Sequence, residues 1–113
     1  MRIWYRVTDL DAARAFYRDM LGFTETFFDA GERWATLDRD ATEIAIGETG
    51  EGTVADAEGQ VATIDVEDVK AERERLDRAG VEVGTVLELH GAMRLLDVFD
   101  PDGNRIQLTE EVS

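Results

Sequence analysis

One pattern occurs twice in this chain and limits what the chain can fold into. Val7-Thr8-Asp9-Leu10 returns as Val66-Glu67-Asp68-Val69. Each copy follows a short alternating stretch and precedes a helical one. Each helix then reaches a similar stop, Leu21-Gly22-Phe23 in the first copy and Ala79-Gly80-Val81 in the second. The copies lie about 59 residues apart at their starts and about 58 at their ends. Two copies fill the 113 residues, so the pattern is a duplication inside one domain and not a stack of many short repeats. The boundaries that follow are a first module over about 1–48, a linker over about 47–59 and a second module over about 60–113.

Within the first copy, Ile3, Tyr5 and Val7 fall on one side of an alternating segment and Arg2, Trp4 and Arg6 on the other, the period of a strand. Asp9 is placed to cap a helix, because its carboxylate can accept from a backbone N–H that the helix leaves unpaired. Leu10, Ala13, Phe16, Tyr17, Met20 and Leu21 recur at helical spacing, and Gly22 supplies the left-handed residue that ends the run. Strands are expected over Thr24–Phe28, Glu32–Leu37 and Glu43–Ile46, with turns at Ala30-Gly31 and Arg39-Asp40. Phe27 and Phe28 must point to opposite faces of their strand. The glycine-rich, acidic stretch from Gly47 to Gly59 reads as the connection between copies.

The second copy repeats the plan. Ala62, Ile64 and Val66 form one face of a strand; Val61, Thr63 and Asp65 form the other. Asp68 caps a helix ending near Ala79, with Glu74 and Arg78 spaced for a surface ion pair. Strands are expected over Glu82–Leu87, Ala92–Phe99 and Arg105–Thr109. Between the last two lies Asp100-Pro101-Asp102-Gly103-Asn104, where Pro101 presets a corner and Gly103 can take positive φ. A tight turn accounts for these acids, and a catalytic role for them is the competing reading.

Composition removes several classes of function. The chain has no cysteine, so disulfides, thiolate metal sites and cysteine nucleophiles are excluded. Asp and Glu number 26 against 12 basic residues, a net charge of −14, and Lys70 is the one lysine. A nucleic-acid backbone would be repelled. Two readings of the acidity stand open: a solvated surface suited to a salty host, and a surface that draws in a cationic ligand. No long apolar run or charged-then-apolar leader is present, so a cytoplasmic location and no membrane partner are expected. Gly47, Gly50 and Gly52 lack the Lys and Ser or Thr of a phosphate-binding loop.

Taken in order, Val7-Thr8-Asp9-Leu10, then Ala15-Phe16-Tyr17-Arg18-Asp19-Met20-Leu21-Gly22-Phe23, then Asp100-Pro101-Asp102-Gly103-Asn104 with Ile106 and Leu108, resemble the vicinal oxygen chelate superfamily, which holds glyoxalases, bleomycin resistance proteins and extradiol dioxygenases. The resemblance spans essentially the whole chain. It implies an α+β fold of two tandem βαβββ modules that form an incomplete barrel around a cavity. It also implies a homodimer, in some relatives with modules exchanged between chains.

Enzymes of that superfamily hold a divalent ion on His or Glu near the start of each module's first strand and near the end of its last. The ion polarises two adjacent substrate oxygens. Carried over one position at a time, the resemblance points to Arg2, Val61, Gln107 and Glu43. A guanidinium and an isopropyl group cannot bind a metal, and an amide oxygen is a poor neutral ligand. His90, before Gly91 in an expected turn, reads as a turn residue rather than as a replacement. The expectation is therefore no metal. If one is present, it is a divalent ion near Glu43 and Gln107.

The candidate ligand-binding residues are Arg2, Trp4, Arg6, Trp34, Glu43, Thr63 and Gln107. Arg2 and Glu43 could pair as a polar plug supported by Gln107. Alternatively, Arg2 or Arg6 could hold a ligand carboxylate or phosphate. Trp4 and Trp34 fit the aromatic wall of a small-molecule site equally with core or dimer packing. The leading expectation is a metal-free protein that binds a small molecule, conceivably cationic, in the cavity between modules. The alternatives are a metal-dependent lyase, isomerase or dioxygenase with an atypical site, and a non-catalytic regulatory or interaction module.

Overall fold

The computed structural model describes residues 3–48 and 61–112, which fall into two units divided between Ala62 and Thr63. The first unit contains β1 (Ile3–Val7), α1 (Leu10–Ala15), a π-helical turn (Phe16–Met20) that continues α1, β2 (Thr24–Asp29), β3 (Trp34–Arg39) and β4 (Thr42–Glu48). The second contains β5, which begins at the division (Ala62–Asp65), then α2 (Val69–Arg78), β6 (Glu82–Val83), β7 (Leu87–Leu89), β8 (Met93–Phe99) and β9 (Arg105–Glu111). The first sheet has the order β1-β4-β3-β2. The second has the order β5-β9-β8-β6, with β7 also on β8. This is the α+β arrangement of paired βαβββ modules that the sequence leads one to expect.

Alternation in β1 decides which side chains meet the helix. Tyr5 and Val7 are buried, and the register sets Ile3, Tyr5 and Val7 beside Ile44, Ile46 and Glu48 of β4. Ala35 and Leu37 of β3 continue that face. Leu10, Ala13, Tyr17 and Leu21, the apolar stripe of the first helix, are all buried. Tyr17 stacks on Tyr5 at 6.2 Å and meets Phe23 edge-on at 5.7 Å. Each large side chain removed from water in this way contributes about 1.5–3 kcal/mol.

Each helix starts on a double clamp. Asp9 Oδ1 accepts from Ala12 N at 3.1 Å, and Asp68 Oδ1 accepts from Ala71 N at 3.0 Å. A glutamate from the last strand of each unit then accepts from the first helical N–H: Glu48 from Leu10 at 2.9 Å and Glu110 from Val69 at 2.8 Å. An arginine holds each glutamate, Arg33 on Glu48 at 2.8 Å and Arg94 on Glu110 at 3.0 Å. Sequence reading found the aspartate caps but not these glutamates, although they sit at matching places in the two copies.

The Arg33 guanidinium, with the Leu10 N–H, lowers the Glu48 carboxyl from 4.5 to about 2. A depressed carboxyl stabilises the fold above its unfolded value and loses that contribution as pH falls toward its folded value. Acid titration should therefore weaken the native chain between about pH 4.5 and about pH 2. Glu48→Gln should be less stable at neutral pH, and its deficit should close across that window in urea midpoints taken at each pH. A deficit independent of pH would show that the ion pair is not its source.

The helices differ by one residue. At the end of α2, Val81 N donates to Leu76 O and Gly80 N to Asp77 O, the usual closure around a left-handed glycine, here at φ +84. In the first unit Phe23 N donates to Tyr17 O at 2.9 Å, one residue further back, with Gly22 at φ +70. The π-helical turn absorbs the additional residue. This accounts for copies that are spaced differently at their starts and at their ends.

Four boundaries depart from expectation. β3 begins at Trp34 rather than Glu32, because Asp29 Oδ1 accepts from Gly31 N and Glu32 N and keeps the turn going. Arg39 lies within β3, paired with Thr42, so the next turn is Asp40-Ala41, with Asp40 at φ 54. Gly47 and Glu48 belong to β4 and not to the connection; the rest of that stretch, 49–59, lies outside the described residues. The single strand expected over Glu82–Leu87 is two, β6 and β7, interrupted where Gly84 N turns to Asp97 O at 2.8 Å.

The Asp100 turn is as expected and occupies its acid fully. Asp100 is buried and its carboxylate accepts from Asp102 N, Asn104 N and Asn104 Nδ2 at 2.8–2.9 Å. Gly103 has φ +83. Glu74 and Arg78 form the surface ion pair expected on α2. No helix among the described residues is long and apolar enough to cross a membrane.

Candidate functional site

Each sheet has a second face, turned away from its helix. In the first unit that face is aromatic. Register puts Trp4 of β1 beside Ala45 of β4, and Trp34 of β3 beside Gly47 of β4. β1 and β3 flank β4, so these tryptophans start roughly 9–10 Å apart, twice the spacing of neighbouring strands. Their rings nevertheless lie 5.6 Å apart. The reason is the strand between them: Ala45 and Gly47 raise no bulk on this face, and the indoles close over them, leaving Ala45 with no exposed surface.

Phe27 extends the cluster from β2. A bulge at Thr26 shifts the register between Glu25 and Phe27, so that Phe27 faces Thr36 and Phe28 faces Ala35. Thr26 Oγ1 lies 2.6 Å from Thr36 Oγ1 and holds the bulge to β3. Phe27 thus joins the tryptophan face, 4.9 Å from Trp34, and stays 47% exposed. Phe28 turns to the helix side, under the Arg14 guanidinium at 3.6 Å. Arg14 also binds Glu25, whose carboxyl it holds below the ordinary value. The bulge, which alternation alone cannot reveal, settles which phenylalanine is which.

The same face carries charge. Arg6 lies opposite Gly47, and Asp38 lies opposite Glu43. Arg6 and Glu43 each have an interaction partner, and the Nε of Arg6 is buried without a hydrogen bond of its own. Four candidates from the sequence, Trp4, Arg6, Trp34 and Glu43, therefore share one face of one sheet. Arg2 lies outside the described residues, so its pairing with Glu43 is not addressed. Sequence reading did not single out Ala45, Gly47 or Asp38.

In the second unit the equivalent face is polar. Thr63 and Asp65 stand exposed on β5. Thr109 donates to Asp65 Oδ1 at 2.6 Å, and Gln107 lies across from Asp97, with Nε2 3.4 Å from Oδ1. Thr63 and Gln107, the remaining candidates, are found here. His90 is an exposed turn residue at φ 52 beside Gly91 at φ +67, closing the β7–β8 hairpin. Two successive positive φ values are what such a tight hairpin requires.

Matching the units through Glu48 and Glu110 sets Ala45, rather than Glu43, in the place that Gln107 has in its own sheet. Donor chemistry then argues against a divalent ion at the expected positions. Val61 and Ala45 offer no lone pair, and Gln107 offers a neutral amide oxygen. Among the described residues no group of three or more His, Asp or Glu side chains could hold a metal. The residues present do not fit the superfamily's metal, and no chemical step is derived through it.

Two βαβββ units, each with its helix on one sheet face and a second face turned away, define a fold class that comparison names. The chain belongs to the glyoxalase/bleomycin resistance protein/dioxygenase superfamily, whose pattern matches residues 2–108. No curated protein matches it in sequence. Among solved structures it is similar to lactoylglutathione lyase from Agrobacterium tumefaciens, at 21% identity and a TM-score of 0.76 over 97% of this chain and 91% of that one. It is also similar to TnmS3, an antibiotic binding protein from Streptomyces sp. CB03234, at 23% identity and a TM-score of 0.70 over 98% and 95%. A third likeness is to the fosfomycin resistance protein FosX from Listeria monocytogenes, at 19% identity and a TM-score of 0.76 over 99% and 92%. At these identities the likeness is one of fold.

Proposed function

We propose that this chain binds a small organic molecule without transforming it and without a divalent metal, and that Trp4, Trp34 and Phe27 form the surface the ligand stacks on. The observation that carries the reading is the pair of indoles closed over Ala45, in the place where the other unit has Gln107. Aromatic walls with a few polar groups at the margin are the usual make-up of a small-molecule site. Arg6, Asp38 and Glu43 supply those polar groups, and the solved antibiotic binding protein of the same fold lends support. A lyase, isomerase or dioxygenase reading needs a set of donors that the described residues do not assemble.

The proposal includes a homodimer in the cytoplasm, with exposed Leu87 and Leu89 among the apolar groups that pairing would cover. The test of the central claim is metal analysis of protein purified without chelator, alongside ligand titration before and after chelation. The expected result is well under one divalent ion per chain and unchanged binding. One tightly held ion per chain, with binding lost on its removal, would sink the proposal.

A further inference from the structure

We infer that the occupant of the aromatic face in the first unit is a planar aromatic cation, an inference that rests on the binding proposal above. Shape supports the planar part. Trp4, Trp34 and Phe27 form one continuous ring surface over Ala45 and Gly47, with Phe27 half open to solvent.

Charge supports the cationic part. Register puts Asp29 opposite Trp34 and Asp38 opposite Glu43, so three carboxylates share this face with one guanidinium, that of Arg6. Asp29 Oδ1 is engaged by the N–H groups of Gly31 and Glu32, but neither Asp29 nor Asp38 forms an ion pair among the described residues. The whole chain adds a net charge of −14, which raises the local concentration of cations. Indole faces attract a cation through the ring quadrupole, and tryptophan does so most strongly. A neutral ring of the same outline keeps the stacking and loses the electrostatic part. An anion of that outline meets repulsion instead.

The chain has two tryptophans and both are on this face, so intrinsic fluorescence reports on it alone. The full chain is titrated at low ionic strength and about pH 8 with proflavine (a cation), acridine (neutral) and acridine-4-carboxylate (an anion). Proflavine should bind at least about tenfold more tightly than acridine, and the carboxylate more weakly than either. The margin should shrink in about 0.5 M NaCl, where screening acts over roughly 4 Å. Asp38→Asn with Glu43→Gln should lose most of the margin while keeping the melting temperature, with Asp38→Asn alone as the milder variant. Equal binding of the three rings, preference for the anion, or a margin untouched in both variants overturns the charge inference and leaves the binding face standing. Quenching by none of the three overturns the binding proposal and this inference with it.

Discussion

Tyr17→Ala should cost about 3–5 kcal/mol of stability, the range for removing a large buried aromatic side chain. A domain of this size has roughly 5–15 kcal/mol in total, so the variant should be largely unfolded near its growth temperature. The ring is fully buried. It stacks on Tyr5 and meets Phe16 and Phe23 edge-on at 5.2 and 5.7 Å, joining the helix to β1 and to the segment that follows the helix. Its carbonyl also receives the Phe23 N–H that closes the π-helical turn. Truncation leaves a cavity bordered by aromatic rings that cannot collapse without moving β1. Tyr17→Phe keeps every ring contact and should stay far closer to the native chain in urea unfolding. Equal losses in the two variants would trace the effect to the hydroxyl and not to packing.

Trp34→Ala should lower affinity for a stacked ligand by at least about tenfold, or about 1.4 kcal/mol, while the fold persists. Trp34 is the middle ring of the three, 5.6 Å from Trp4 and 4.9 Å from Phe27, so its loss separates the other two. Each aromatic pairing is worth about 0.5–1.5 kcal/mol beyond area burial. The residue is only half-buried on β3, and the helix packs on the opposite face. The melting temperature should therefore fall much less than in Tyr17→Ala. Isothermal titration and thermal unfolding of the same preparation separate the outcomes. A large fall in melting temperature with unchanged affinity would make Trp34 a packing residue and remove the proposed site.

The fold was legible because its signals are local and come twice. The Asp9 and Asp68 caps, the Gly22 and Gly80 stops and the Asp100 turn each declare themselves within a few residues. The duplication confirms one copy from the other. The site was legible only in part, because it depends on register. Trp4 and Trp34 could be named as candidates, but their meeting depends on Ala45 and Gly47 in a third strand, and Gly47 read as linker. Phe27 depended on a bulge at Thr26 that has no fixed sequence mark. The Glu48 and Glu110 clamps join segments far apart in the chain, which periodicity does not connect.

The π-helical turn has a further consequence. Two copies that start alike and stop alike have come to differ in length, and the difference has been stored in the wall of a helix instead of being passed into the sheet. Neither the cap at Asp9 nor the glycine at Gly22 has lost its counterpart. The five residues from Phe16 to Met20 therefore mark where this half of the molecule carries slack, a place where the chain has changed length while every strand beyond it kept step.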